Sequence, residues 1–425
     1  MNIINKIIRG DKVIWIVALL LGFVSLTVVY SASSAYAAAK YDGNTGRVLL
    51  KHGGTLLVGF FMMFVFYRIN YKHYSKAAWL LLIPCLALLV YTMLFGQNLN
   101  QANRTISLGF ISFQPSELAK IILITYLARQ LYLMGDRLNS FREVFVWLGI
   151  PMFLTAGLIA PENLSTAALL TMVCLVLLFI GRVKFLHILS LLGIGIALLG
   201  VYVGIVTIHT NKQNKQAQEL IAEGKTAEYE EKLPRVATWI NRLKALGEPK
   251  GEDYDPFDQQ HYQQTYAKIA VATSSGFGKG PGKSEQRNFL PQPYSDFIYA
   301  IIVEEYGIFG AVFVLMLYII LFTRVLRIML RHPLTFGAYL AFGLGFLVIV
   351  QAMINMGVSI GLLPVTGQPL PLVSKGGSSM MSTGIILGMI LSVTRNIEEE
   401  VPEAATIKDE SQQLNSNTEG EHHEE

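Results

Sequence analysis

The sequence predicts an all-α polytopic membrane protein with about ten transmembrane helices and one large extracytoplasmic loop between helices 7 and 8. Three observations predict it. The 425 residues are 52% hydrophobic and only 15% charged, where a soluble chain carries about a quarter charged residues. The mean hydropathy is +0.44. The apolar residues are also gathered into blocks long enough to cross a bilayer.

In chain order the expected spans are 13–33, 53–68, 77–96, 116–134, 143–160, 165–181, 184–208, 297–323, 336–357 and 376–394. The first follows Lys6, Arg9 and Lys12 and precedes "SSAYAAAK", an arrangement like a signal peptide. The apolar run is too long for one and many spans follow, so it reads as an uncleaved first helix. Short-loop cations fall in alternate links: Arg68, Lys72 and Lys76; Arg129, Arg137 and Arg142; Arg182 and Lys184; Arg324, Arg327 and Arg331. The positive-inside rule makes those links, and both termini, cytoplasmic. The other face then receives the long link, about 209–296, within a transmembrane domain 1–395. In that link "LPRVATWINRLKALG" spaces its apolar residues for a helix lying on the membrane or packed on the protein. Residues 396–425 form an acidic tail, with ten acidic residues against one lysine, leaving −9 there and +13 elsewhere. Such a composition is disordered and solvated, and its His pair is a weak metal signal. Cys85 and Cys174 lie inside apolar runs without a CxxC pair or a His cluster, and read as small buried hydrophobes.

The unusual polar residues collect on the extracytoplasmic side. In "NRTISLGFISFQPSELAK" Arg104 precedes a helix opened by Gln114 and Pro115, where Ser116 could cap and Glu117 would favour the positive helix end. Glu117 and Lys120 are spaced for a structural ion pair. Arg104 and Lys120 are equally suited to a phosphate. Glu162 in "APENLSTA" stands where a helix cap would. Four alternating glycines with Lys279 and Lys283 form either a flexible loop or one that brings backbone N–H groups and cations to an anion; the spacing is not that of a Walker A loop. Asp296, before the eighth span, is either a helix cap or a general base at the outer membrane interface. Glu304 and Glu305 lie about 12 Å further along that helix and point about 100° apart, so they are not expected to face one place. Finally, Pro364, Gly367, Pro369 and Pro371 break the helix before Ser378 and Ser379, and irregular backbone at that depth must be buried in protein or line a wet cavity.

"FQPSELAK", "GKGPGKSEQRNFLPQPYSDFIYAIIVEEYG" and "LLPVTGQPLPLVSKGGSS" occur in this order. Together they resemble the SEDS proteins (shape, elongation, division and sporulation), and the resemblance runs over nearly the whole chain. Within the family the wording is most similar to the division branch, FtsW, as found in the Bacteroidetes. The resemblance implies a peptidoglycan glycosyltransferase that polymerises lipid II at the outer face of the bacterial cytoplasmic membrane, at the division septum, beside a class B penicillin-binding protein. The expected contacts are lipid II, the growing glycan strand, other division proteins and membrane lipid, with no nucleic acid. It maps the family's essential aspartate onto Asp296, the glutamate and lysine of its "QPSE-x-x-K" onto Glu117 and Lys120, and its preceding arginine onto Arg104. It implies a divalent cation, Mg or Mn, and no organic cofactor, although no dedicated metal cage is visible. The chain departs from the family's wording at Glu162 (aspartate), Ser165 (glycine), Lys375 (tyrosine), Gln368 (leucine) and Tyr266 (glutamine). The chemistry needs a base for the acceptor hydroxyl and cations for the departing pyrophosphate. Asp296 takes the first role; Arg104 and Lys120, with Lys279 or Lys283, take the second, and Ser378 and Ser379 complete the candidate binding residues. Glu162, Glu304 and Glu305 are expected to be structural or to face the cavity. A lipid II flippase and a non-catalytic scaffold for the penicillin-binding protein are the alternatives.

Overall fold

The computed structural model describes residues 9–95, 97–99, 102–108, 111–222, 262–290 and 292–396. The stretch 233–247 and the acidic tail from residue 397 lie outside them. Among the described residues nine helices are long and apolar enough to cross a membrane, and an apolar helix of 17 residues, Leu164–Ile180, makes a tenth. The elements are α1 (Lys12–Ala32), α2 (Ser34–Tyr41), α3 (Thr45–Arg68), α4 (Tyr71–Phe95), β1 (Gln97–Leu99), β2 (Ala102–Leu108), β3 (Ile111–Phe113), α5 (Pro115–Met134), α6 (Phe141–Ile159), α7 (Leu164–Ile180), α8 (Phe185–Ala222), α9 (Tyr262–Ala272), α10 (Ile298–Arg331), α11 (Phe336–Ser359) and α12 (Gly377–Asn396).

Local chemistry sets the helix starts. Asp11 accepts from Val13 N, Asn44 from Arg47 N, Asn163 from Thr166 N and Thr335 from Ala338 N, each at 2.9–3.2 Å. These bonds satisfy N–H groups that a first turn leaves without partners. Three expected caps are placed differently. Asn163, not Glu162, caps α7. The residue before α5 is Gln114, with Pro115 at the first helical position, and Ser116 instead accepts from Gln114 Nε2. Phe297, not Asp296, precedes the first turn of α10.

The expected all-α fold has one addition. Between α4 and α5 the backbone makes a small antiparallel sheet in the order β1-β2-β3, pairing Asn98 with Asn103 and Ser107 with Ser112. Thr105, Ile106, Ile111 and Phe113 favour such pleating, but each strand is too short to show a period. Arg104 lies in β2.

α11 and α12 are almost enclosed by the other helices, whereas α8 is nearly all outside. Ile16, Phe23, Leu57, Leu80, Ile83 and Ile196 are large and exposed, as expected of faces turned to lipid. Two close backbone contacts seat α12 against α3. A Cβ on Gly384 would stand 2.1 Å from Gly59 O, and one on Gly388 would stand 2.4 Å from Met63 O. Small residues four apart are the usual means of such approach between membrane helices. Both described ends of the chain meet on one face, where Asp11 N donates to Thr394 Oγ1 and Arg324 lies 3.7 Å from Asp11. Cys85 and Cys174 are free and buried.

The expected eighth span is two limbs. Gly307 has φ 64 and ψ −159 inside α10. Tyr299 Oη donates to Ala311 O at 3.2 Å, although twelve residues of straight helix span about 18 Å. Residues 298–306 therefore fold back against 308–331. Ser31, at the end of α1, hydrogen-bonds Glu305, while Ser25, about 9 Å earlier along α1, bonds Val373 O. Ser374 in turn bonds Ser295 O at 2.6 Å. The short limb thus starts inside the bundle at Asp296 and climbs to the face opposite the termini, and the long limb returns.

Gly384→Ala is expected to lower the thermal unfolding midpoint in detergent, through overpacking worth about 1–3 kcal/mol. Gly157→Ala, where a Cβ meets nothing within 4 Å, should leave it in place.

Candidate active site

Residues 360–376, between α11 and α12, are irregular backbone, exposed at its start and buried within the bundle over 370–374. Their carbonyls need partners, because no water reaches them from lipid. Side chains supply these: Asn355 Nδ2 donates to Gln368 O at 2.8 Å, Gln351 Nε2 to Pro369 O at 3.0 Å, Tyr318 Oη to Pro371 O at 2.5 Å and Ser25 Oγ to Val373 O at 2.8 Å. Gln368 Nε2 donates to Thr166 Oγ1 on α7. Asn355 and Gln351 are not among the residues expected from sequence, although a carboxamide pair four residues apart in an otherwise apolar helix is a legible signal.

Asp296 sits against this segment. Asn355 Nδ2 also donates to Asp296 O at 2.9 Å, and Ser295 Oγ donates to Asp296 Oδ1 at 3.0 Å. The other carboxylate oxygen, Oδ2, lies toward Gly367, 3.7 Å from where a Cβ would stand. The residue is half-buried and stands about two turns of helix below Glu305. The starts of α10 and α12 are tied by Ser374–Ser295 and by Lys375 N donating to Tyr294 O at 2.8 Å. The start of α5 joins α12 through Ser382 Oγ and Glu117 Oε2 at 2.8 Å. Three helix N-termini, each carrying a partial positive charge, thus gather at one end of the bundle.

Lys120 is 1% exposed and bonds Glu117 Oε1 at 2.8 Å. Of the two uses open to this pair, the structural ion pair is the one formed. Ser379 is buried and its carbonyl accepts from Ser382 and Thr383, while Ser378 is half-buried in the same first turn of α12. Glu162 is half-buried and lines a small crevice with Gln114, Ser116 and Asn163. The Arg104 side chain lies outside the described residues.

The glycine-rich loop does meet an anion, and the anion belongs to the protein. Lys279 Nζ bonds Glu304 Oε1 at 2.9 Å and lies 3.2 Å from Glu285; the hydrogen bond from Lys279 to Glu304 raises the Lys279 pKa. Ser284 Oγ and Glu285 N also donate to Glu304, and Ser284 N donates to Glu305 at 3.3 Å. Lys279 N and Gly280 N donate to the carbonyls of Glu304 and Glu305, both at 2.9 Å. The two carboxylates were not expected to face one place, yet both hold this loop. The reason is Gly307: the helix ends just beyond them, so the loop crosses its end and reaches both sides. The approach needs glycine, since a Cβ on Gly278 would lie 2.3 Å from Glu305 O. Arg287 Nη1 reaches Ser31 Oγ at 3.1 Å, and Lys283 is exposed.

The departures from the family wording also find places. Tyr266 stacks on Phe289, centroids 5.1 Å apart. Lys375 Nζ lies 3.8 Å from the centroid of the Tyr36 ring and 4.5 Å from that of Tyr294. Burial first, then Lys40 and Lys51, depress the Lys375 pKa to about 8. Burial raises that of Tyr294, with Tyr36 and Asp296 adding to it.

Both ion pairs can be tested by removing one partner. Lys120→Met, which leaves Glu117 as a lone buried carboxylate, should destabilise the protein by about 3–5 kcal/mol; Glu117→Gln combined with Lys120→Met should recover much of that in thermal unfolding. Glu304→Gln should raise tryptic cleavage between residues 279 and 287 about tenfold or more. An unchanged cleavage rate would mean that the carboxylates do not hold the loop.

The family described as "Cell cycle protein" (FtsW, RodA and SpoVE) matches residues 11–399. "Stage V sporulation protein E" of Bacillus subtilis is 33% identical over 392 residues, covering 91% of this chain and 97% of the relative. A "Probable peptidoglycan glycosyltransferase FtsW" of Geobacter sp. is 32% identical over 390 residues, covering 90% and 96%. The crystal structure of the Thermus thermophilus rod shape determining protein RodA superposes with a TM-score of 0.62 at 22% identity, covering 91% of this chain and 97% of that one. A chain from a peptidoglycan synthase complex of polymerization and crosslinking superposes with a TM-score of 0.65 at 23% identity, covering 91% and 98%. Residues 11–399, which hold every described helix and the recess around Asp296, make this chain a member of the FtsW, RodA and SpoVE family of cell cycle proteins.

Proposed function

We propose that the chain is a peptidoglycan glycosyltransferase of the division branch that polymerises lipid II into β-1,4 glycan strands. Family membership and the names of its relatives support the reaction. The observation that carries it is the half-buried Asp296, set before the start of α10, against Gly367 and beside the residues that lead into α12. The cation-rich links support the reading that the face opposite the termini is outside and that the protein is a multi-pass component of the bacterial cytoplasmic membrane with both termini cytoplasmic. The division role, at the septum, rests on the wording around residues 278–300 and its likeness to the Bacteroidetes branch. A class B penicillin-binding protein, which would crosslink what this chain polymerises, is the proposed partner.

The donor carries its sugar through an α-linked pyrophosphate and the product linkage is β, so one in-line displacement inverts the centre without a protein nucleophile. Asp296 accepts the proton of the acceptor 4-hydroxyl as its oxygen attacks C1, and undecaprenyl pyrophosphate departs with the bonding electrons. Its negative charge is met by the helix N-termini, by Arg104 and by Lys283. Lys120 and Lys279, also expected to hold it, are engaged by Glu117 and by Glu304 with Glu285. Among the described residues no three His, Cys, Asp or Glu side chains gather as a metal cage. The Mg or Mn ion of this proposal is assigned to the diphosphate, which commonly carries Mg, and none of these steps is routed through it.

Asp296→Asn, folded and bound to its partner, should polymerise lipid II about 10²–10⁴-fold more slowly than the parent. Glycan strands formed at the parental rate by that variant would remove Asp296 from the base role. Purified parent with partner that forms no strands from lipid II would overturn the polymerase reading in favour of transport or scaffolding.

A further inference from the structure

Lys375 belongs to an array in which ammonium groups and tyrosine rings alternate. Its Nζ rests between the rings of Tyr36 and Tyr294, whose centroids lie 5.2 Å apart. Lys40 Nζ lies 5.7 Å from the Tyr36 centroid. Tyr36 meets Tyr41 edge-on at 6.0 Å, and Lys51 Nζ donates to Tyr41 Oη at 3.1 Å. Four pieces of chain therefore converge: α2, the first turns of α3, the turn before α10, and the residues before α12. The last two are pinned together by Lys375 N–Tyr294 O and Ser374 Oγ–Ser295 O, and the residue that follows Ser295 is Asp296.

The array is electrically unusual. Among the described residues no carboxylate lies within 4.0 Å of Lys375, Lys40 or Lys51. A half-buried lysine normally pairs with a carboxylate or reaches bulk water. Here Lys375 is held by ring faces, which attract an ammonium without cancelling its charge. Two further cations repel it. Such an arrangement is unfavourable while empty and is relieved by an anion. It is a poor match for a single carboxylate and a good one for a ligand with charge spread over two phosphorus centres, since three cations approach it from different elements. Two of the other cations expected at the diphosphate are bonded within the protein: Lys120 to Glu117, and Lys279 to Glu304 and Glu285.

We propose that Lys375, backed by Lys40 and Lys51, binds the diphosphate of the polyprenyl-linked substrate and so holds the sugar carbon against Asp296. The proposal rests on the polymerase reading for the identity of the ligand, and on this chain's own lysine where the family wording has tyrosine. The groups around Lys375 are Tyr36 and Lys40 from α2, Lys51 and His52 from α3, and Tyr294 from the turn before α10, with Tyr41 beside Tyr36 and Asp296 beside Tyr294 one contact further out. Lys375 is charged below about pH 8 and neutral above it, so affinity for the anion is present at pH 7 and lost as pH rises.

The test is equilibrium binding of farnesyl diphosphate to the full-length protein in detergent, with farnesol as the uncharged control. Lys375→Met should weaken diphosphate binding about tenfold at pH 7, the loss of one charge-assisted contact, with farnesol unaffected. The parent should lose a similar factor between pH 7 and 9.5, Lys375→Met less than twofold, and Lys375→Arg should bind tightly at both. A Kd for Lys375→Met within twofold of the parent at pH 7 overturns the proposal. Should Lys375→Met unfold at lower temperature, Lys375→Arg decides: loss of its binding at pH 9.5 overturns the proposal, and retention supports it. The two readings separate cleanly. A parent that binds diphosphate but forms no strands with its partner counts against the polymerase. A parent that polymerises, with Lys375→Met unchanged in Kd and in KM for lipid II, counts against this site alone.

Discussion

The constraint on which the rest of this structure depends is that backbone polar groups within a membrane need partners inside the protein. The chain leaves helical geometry twice, at Gly307 near the face opposite the termini and over residues 360–376, which run from that face into the bundle. Each break exposes carbonyls, and each is met by a dedicated set of donors. Asn355, Gln351, Tyr318 and Ser25 serve the second break. The N–H groups of Lys279 and Gly280 serve the first. Neither set is interchangeable with water, so the site-bearing segments are fixed by the same bonds that make them tolerable in a bilayer.

This has a mechanical consequence. Asp296 and the pair Glu304–Glu305 stand at opposite ends of one short helical limb, residues 298–306, buried along most of its length. A helix that short does not bend appreciably, so the glycine-rich loop at the top and the carboxylate at the bottom move as one body or not at all. The Glu304 and Glu305 contacts thus position Asp296 through about 12 Å of rigid backbone, without touching it.

How much of this could be read from the sequence depended on the range of the interaction. Ten apolar spans were legible because each is a local block, but several ends were not: α3 starts at Thr45 against an expected 53, α10 folds back at Gly307 and runs on to Arg331, and α8 runs on to Ala222. The involvement of Asp296, Glu117 and Glu304 was legible because charges in apolar surroundings need a reason. Partners were not. Whether Lys120 met a phosphate or Glu117 depended on burial, and that Glu304 and Glu305 meet one loop depended on the fold-back at Gly307, a single φ angle. The sheet of β1 to β3 was hidden by strands of three and seven residues; the carboxamides of Asn355 and Gln351 were legible in an apolar helix, but the carbonyls they serve were not.

The acids inside the bundle divide by what holds them. Glu117 is engaged by Lys120 and Ser382, Glu304 by Lys279 and Ser284, and Glu305 by Ser31 and Ser284. In each case the side-chain carboxylate is the point of attachment, so its charge and its place in the fold are bound together. Asp296 is held by its main chain as well. Asn355 grips its main-chain carbonyl, and the same carboxamide nitrogen grips Gln368 O. Ser295 donates to Oδ1 and Oδ2 lies toward Gly367. A residue held by its carboxylate alone would lose its anchor on taking up a proton. A residue fastened by its backbone carbonyl keeps its position whether its side chain is charged or neutral, which is the condition a base must meet to accept a proton from one acceptor sugar and stand ready for the next.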